Sequence, residues 1–232
     1  MVPGPLDLTR AASLISLLSR TASQLDPGFR QFQLVFEVER RHDLWGQPGK
    51  VAITGFLTRG RMGRYRDAVQ LAAITGTPAD IAAVRHYTSR GGISLNVEQQ
   101  VLPDLGLFAR TGVATGSVEP YEFTDVDRTI AAGLSLSGTR WGRPKDTVGL
   151  AGVINSISGA HQAFLYAGGL GILVGDGKLP HPGGEYIAEA YYKMNIWRRT
   201  FATVDLQYVT NPGYNRDRGP VWIPGFRFHA EF

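Results

Sequence analysis

Period-two alternation, repeated through about nine long segments, constrains this chain more than any other feature of its sequence. The last of these, Val221–Phe232, puts Trp222, Pro224, Phe226, Phe228, Ala230 and Phe232 on one side. Val221, Ile223, Gly225, Arg227, His229 and Glu231 fall on the other, which becomes polar toward its end. Side chains alternate across a strand, so this spacing predicts a strand with one apolar face. The same reading places strands at Gln31–Arg41, Val51–Gly60, Tyr87–Val101, Leu105–Val113, Arg128–Gly138, Val148–Ile157, Tyr186–Ile196 and Phe201–Thr210.

The connections carry a second pattern. Short ones (His42–Lys50, Leu102–Asp104, Thr139–Thr147, Trp197–Thr200) alternate with mostly longer ones (Arg61–His86, Ala114–Asp127, Ser158–Glu185, Asn211–Pro220). Outer-membrane barrels alternate periplasmic turns with extracellular loops in this way. Trp45, Trp141 and Trp197 fall in the short connections, where they would form half of an aromatic girdle. A soluble β-sandwich also has one apolar face per strand. Strands of about 10–12 residues, against a usual 5–6, favour a barrel.

Composition excludes other classes. Cysteine is absent, which removes disulfides and thiolate metal sites. The 24 basic and 20 acidic residues are scattered, so the net charge of +4 gives no nucleic-acid footprint. No run approaches the roughly 18 apolar residues of a membrane-spanning helix, but barrel strands need only about 9–11 each. The histidines form no HxxxH or HExxH pair, and there is no GxSxG elbow. Gly168–Gly171 and Gly175–Gly177 lack the setting of a phosphate loop, and Asp176 between two glycines reads as a tight turn. Leu6–Leu18 makes a poor secretion signal and reads better as a short amphipathic helix or plug segment. The expected organisation is an N-terminal segment, 1–28, followed by a barrel part, 29–232.

Several motifs in order carry a resemblance. They are Gln47–Lys50 (QPGK), Gly60–Ala68 (GRMGRYRDA), Leu95–Gln100 (LNVEQQ), Gly138–Pro144 (GTRWGRP), Gly168–Gly177 (GGLGILVGDG) and Glu189–Tyr192 (EAYY). Asn211–Pro220 (NPGYNRDRGP) and the ending Gly225–Phe232 complete the set. A chain closing on a terminal aromatic strand resembles a bacterial outer-membrane β-barrel protein. The motifs together resemble the C-terminal half of the carbohydrate-selective porins, the OprB family. The resemblance implies an all-β, antiparallel transmembrane barrel of about sixteen strands, of which this chain supplies about nine. It implies an outer-membrane location, passive diffusion of mono- or disaccharides without chemistry, no cofactor, and assembly through the Phe232 strand by the barrel-assembly machinery. Family members are about twice as long, so the chain reads as a truncated or split porin. A β-protein without transport activity and an outer-membrane barrel hydrolase are the competing readings.

In the barrel reading the polar faces line the lumen. The pore-lining and sugar-contact candidates are Arg90, Asn96, Glu98, Phe108, Arg110, Arg128, Glu189, Tyr191, Lys193, Asp205, Gln207 and Arg227. Charged and amide groups would exchange hydrogen bonds with sugar hydroxyls, and Phe108 or Tyr191 would stack on a sugar ring. Asn215, Arg216, Asp217 and Arg218 form either a sugar-contacting loop or a compact turn. Asn-Pro, Pro-Gly and Arg-Gly-Pro steps favour the turn.

Overall fold

The computed structural model describes residues 30–121, 125–171 and 178–231. The expected N-terminal helix, the Gly175–Gly177 turn and the terminal Phe232 lie outside the described residues. Nine strands form one antiparallel meander in sequence order: β1 (Phe32–Leu44), β2 (Gln47–Met62), β3 (His86–Leu102), β4 (Leu105–Ala114), β5 (Arg128–Gly138), β6 (Arg143–Ser156), β7 (Glu185–Trp197), β8 (Thr200–Thr210) and β9 (Val221–Ala230). No described residue pairs β9 with β1, so both are edge strands. Pro224, which cannot donate to a ladder, sits on edge strand β9.

The short connections are tighter than the sequence suggested. Trp45 and Gly46 alone join β1 to β2, with φ of 56° and 71°, the backbone of a type I′ hairpin. The long connections contain helices that strand periodicity did not anticipate: α1 (Tyr65–Thr75) after β2 and α2 (Gly159–Tyr166) after β6.

Register carries one face intact across the sheet. Val38 opposes Ile53, Ile53 opposes Leu95 and Leu95 opposes Thr111. Further along, Leu107 opposes Leu134, Leu134 opposes Leu150, Leu150 opposes Ala190 and Leu206 opposes Pro224. A one-residue slip would exchange the two faces, so the pattern fixes the register.

This apolar face is uncovered. Phe36 is 69% exposed, Leu34 61% and Phe226 73%. The buried core lies instead among the long connections, where Tyr65, Ala68 and Ala72 of α1 meet Phe164 and Leu165 of α2, together with Ile157, Leu179 and Tyr214. A protein that buries loop residues and exposes strand leucines is built for an apolar surrounding on the outside of its sheet.

The opposite end is tied by the GTRWGRP segment. Arg140 reaches Asp104 of the β3–β4 turn at 2.5 Å, and Trp141 Nε1 donates to Tyr192 Oη at 3.3 Å. Buried Asp146 accepts from Arg143, from Tyr192 Oη and from the Asn195 N–H. One motif thus links three successive hairpin turns.

Candidate functional site: the polar face of the sheet

The other parity builds the polar face. Its first cluster crosses β1 to β4. Lys50 Nζ lies 3.3 Å from Glu98 and 3.9 Å from Glu39. Arg110 lies 3.5 Å from Glu98 and donates to Asn96 Oδ1, while Asn96 donates to Glu98 Oε1. Phe108 stands directly opposite Glu98, with the Arg110 guanidinium 5.2 Å from its ring centre. These residues border a cavity of about 500 Å³ shared with Arg41, Gln100 and Ser135.

The second cluster lies on β7 to β9. Gln207 donates to Glu189 at 3.2 Å, Tyr191 stands opposite Asp205, and Thr203 stands opposite both Lys193 and Arg227. Lys193 Nζ sits 4.1 Å above the Phe201 ring. Between the clusters, Thr129, Asn155 and Glu185 are joined by hydrogen bonds. Alternating donors and acceptors of this kind offer many weak exchangeable contacts. Among the described residues, no group of His, Asp or Glu is arranged to hold a metal ion.

The segment after β4 folds over the polar face at the loop end. Arg90 donates to Asp127 at 2.9 Å, with both side chains buried. It also donates to the carbonyl oxygens of Val118 and Val126. Arg85 makes a two-pronged contact with Glu119, which also accepts the Gly63 N–H. Burial pushes the Asp127 carboxyl up. The approach of His161, the Ser158 N–H and the Arg90 guanidinium outweigh it and hold this carboxyl below the usual carboxylate range. His161 is buried, stacks on Tyr65 at 4.3 Å between ring centres, and has its Nδ1 3.5 Å from Asp127. That separation is too long for a good hydrogen bond. Burial raises the Tyr65 and Tyr214 hydroxyls well above their ordinary range. Beneath this strap lies a cavity of about 490 Å³ bordered by Gln33, Phe56, Thr58, Ser94, Tyr121, Thr129 and Asn155.

Register therefore brings Asn96, Glu98, Phe108 and Arg110 into one cluster and Glu189, Tyr191, Lys193, Asp205, Gln207 and Arg227 into another. It separates the remaining candidates from both. Arg90 has the polar parity, but its guanidinium is consumed by the strap and only 5% of the residue is exposed. Arg128 shares the parity of Ile130 and pairs with Val113, so it stands on the apolar face at the loop end. Asn215 is buried and accepts the Asp217 N–H, Asp217 meets His181 at 2.9 Å, and the Arg216 N–H bonds the His181 carbonyl. The Asn215 contact lies within the turn, whereas those of Arg216 and Asp217 tie it to His181 of the preceding connection. Lys50, Glu39, Phe56, Ser94 and Asn155 were not singled out from the sequence, though their parity with Glu98 or Thr129 places them on the same wall. Nothing local marks Tyr121, which arrives from the strap.

Comparison with known proteins agrees with this geometry. Among solved structures, a high-pH structure of Pseudomonas putida OprB superposes with a TM-score of 0.71 at 20% identity, covering 88% of this chain. The match covers 49% of that protein, so the chain spans about half its length. No curated protein sequence matches. No helix among the described residues is long and apolar enough to cross a membrane. The carbohydrate-selective porin, OprB family, matches residues 13–232, nearly the whole sequence, and the chain belongs to that family of outer-membrane porins.

Proposed function

We propose that this chain forms part of the wall of an outer-membrane diffusion pore for small carbohydrates, with residues 29–232 as one barrel unit. The carrying observation is the inversion of burial. Strand residues of the apolar parity are exposed, whereas the polar parity is cross-linked by hydrogen bonds and roofed by the strap. In this reading the apolar face meets lipid and the polar face meets water. Sugars pass by exchanging hydrogen bonds with Asn96, Glu98, Arg110, Glu189, Lys193, Asp205, Gln207 and Arg227. No covalent step occurs. Passage requires contacts strong enough to admit a solute and weak enough to release it.

Aromatic placement supports this orientation. Trp45, Trp141 and Trp197 stand at the turn end, and Tyr208 packs on Trp222 with ring centres 4.6 Å apart toward the loop end. Such rings belong at the two interfaces of a bilayer. The turns then face the periplasm, where the Phe232 strand meets the assembly machinery. Liposome swelling tests the reading. Proteoliposomes in which further strands close the sheet into a barrel should swell in isotonic glucose faster than protein-free vesicles and more slowly in a trisaccharide. Equal rates with and without correctly folded protein would overturn it.

A further inference from the structure

We infer that the polar face carries three aromatic stacking stations, each laid across a glycine on the neighbouring strand, that favour ring-shaped sugars over open-chain polyols. The inference rests on the porin reading above. Three aromatic side chains of polar parity stand directly opposite a glycine: Phe56 opposite Gly92, Phe108 opposite Gly133 and Tyr191 opposite Gly149. In each pair the ring leans across its partner. A Cβ added at Gly133 would lie 2.6 Å from Phe108, and one at Gly92 or Gly149 would overlap the Phe56 or Tyr191 ring more deeply.

Each ring stands six residues in from the loop-side end of its strand, at Met62, Ala114 and Glu185 respectively. Register aligns Phe108 with Glu189, two residues from Tyr191, and aligns Phe56 with Ala114, six residues along β4 from Phe108. On the apolar face Gly55, Gly91 and Gly152 have no ring above them, and the one comparable pair on paired strands is His42 leaning over Gly49 near the turn end. On β8 the same motif carries a carboxylate, with Asp205 leaning over Gly225 opposite it.

The physics follows from the geometry. A ring laid across a glycine hides one side against the backbone and leaves the other to the lumen; all three residues are half-buried. The axial C–H groups of a pyranose match such a surface, as an apolar body meets an aromatic face. Polar groups stand beside two of the rings: Arg110 next to Phe108, and Asp205 opposite Tyr191. Phe108, Phe56 and Tyr191 touch the solute. Gly149 is a positioning residue that acts through the ring, whereas a Cβ at Gly133 or Gly92 would also meet the Leu150 or Val113 carbonyl oxygen. An open-chain polyol offers the same hydroxyls without a rigid apolar face, so hydrogen bonding alone would not separate the two.

The test uses the chain refolded in detergent micelles, titrated with methyl β-glucoside and with sorbitol by saturation-transfer NMR. Folding of each variant is checked by heat-dependent gel mobility. The glucoside should bind about three- to tenfold more tightly than sorbitol. Phe108→Leu, which still covers Gly133, should lose part of that preference, and Phe108→Tyr should keep it. Gly149→Ala, whose Cβ would meet the Tyr191 ring before any other group, should weaken glucoside binding in the parent chain but add nothing to Tyr191→Leu. Equal binding of the two ligands by the parent chain would overturn the stacking stations and leave the porin reading standing. So would an undiminished Gly149→Ala effect in the Tyr191→Leu background. Failure of folded protein to bind either ligand would overturn both.

Discussion

At the scale of single residues, the buried Arg90–Asp127 pair decides what the strap can do. Taking two charges out of water is costly, and removing one leaves the other uncompensated, at about 3–5 kcal/mol. Asp127→Ala should therefore free the 115–127 segment, leaving Arg90 with only the Val118 and Val126 carbonyls. Amide hydrogen exchange across Gly116–Val118 should rise steeply, with strand amides unchanged. Unaltered exchange would show that Arg85–Glu119 and the α1–α2 packing hold the strap without Asp127. The pair also sets a pH dependence. The folded Asp127 carboxyl lies below its unfolded value of about 3.9, so its contribution is complete above that pH. It is lost as pH falls through the folded value. Protection of the strap should accordingly be flat from neutral pH to about 5 and fall below about 4.

At the scale of elements, the strands were legible and their decorations were not. Period two holds wherever one face is buried or lipid-facing, so all nine strands could be read with their faces correctly assigned. Their ends could not. Trp45 and Arg198 turn the chain with positive φ, a conformation that non-glycine sequence does not advertise. The helices α1 and α2 were missed because each draws its stability from packing Tyr65 against Phe164 and His161, contacts far apart in sequence. Arg128, read as a lumen candidate, has the parity of Ile130, and at the loop end it also borders the cavity beneath the strap. The burial of Arg90 was hidden, because its partner comes from a loop whose return depends on the whole cap. The turn-end element carries its own prediction. Bromine-labelled lipids carrying the label near the headgroup should quench Trp45, Trp141 and Trp197 more strongly than lipids labelled at the bilayer centre. Stronger quenching from the centre would contradict the assignment of these turns to an interface.

At the scale of the whole molecule, parity of strand number matters. In a meander of nine strands the first and last run in the same direction. Direct closure of β9 on β1 would thus be parallel, as would each seam in a ring of like-oriented copies. Transmembrane barrels are antiparallel throughout, with rare exceptions, and leave no unpaired edge in lipid. Closing this sheet in the usual way takes an odd number of further strands between β9 and β1. The superposition on about half of the Pseudomonas putida structure is consistent with that requirement.

The central claim is that one parity of this sheet faces a water-filled path and the other faces lipid. A chain without cysteine permits a direct test by single substitution. Asn96→Cys and Leu95→Cys place a thiol on opposite faces of β3 at neighbouring positions. Planar-bilayer current through the sheet closed into a barrel by its further strands should be recorded while a charged, water-soluble thiol reagent is added. The account predicts a stepwise fall in current for Asn96→Cys and none for Leu95→Cys. Modification of Leu95→Cys with Asn96→Cys inert would contradict it.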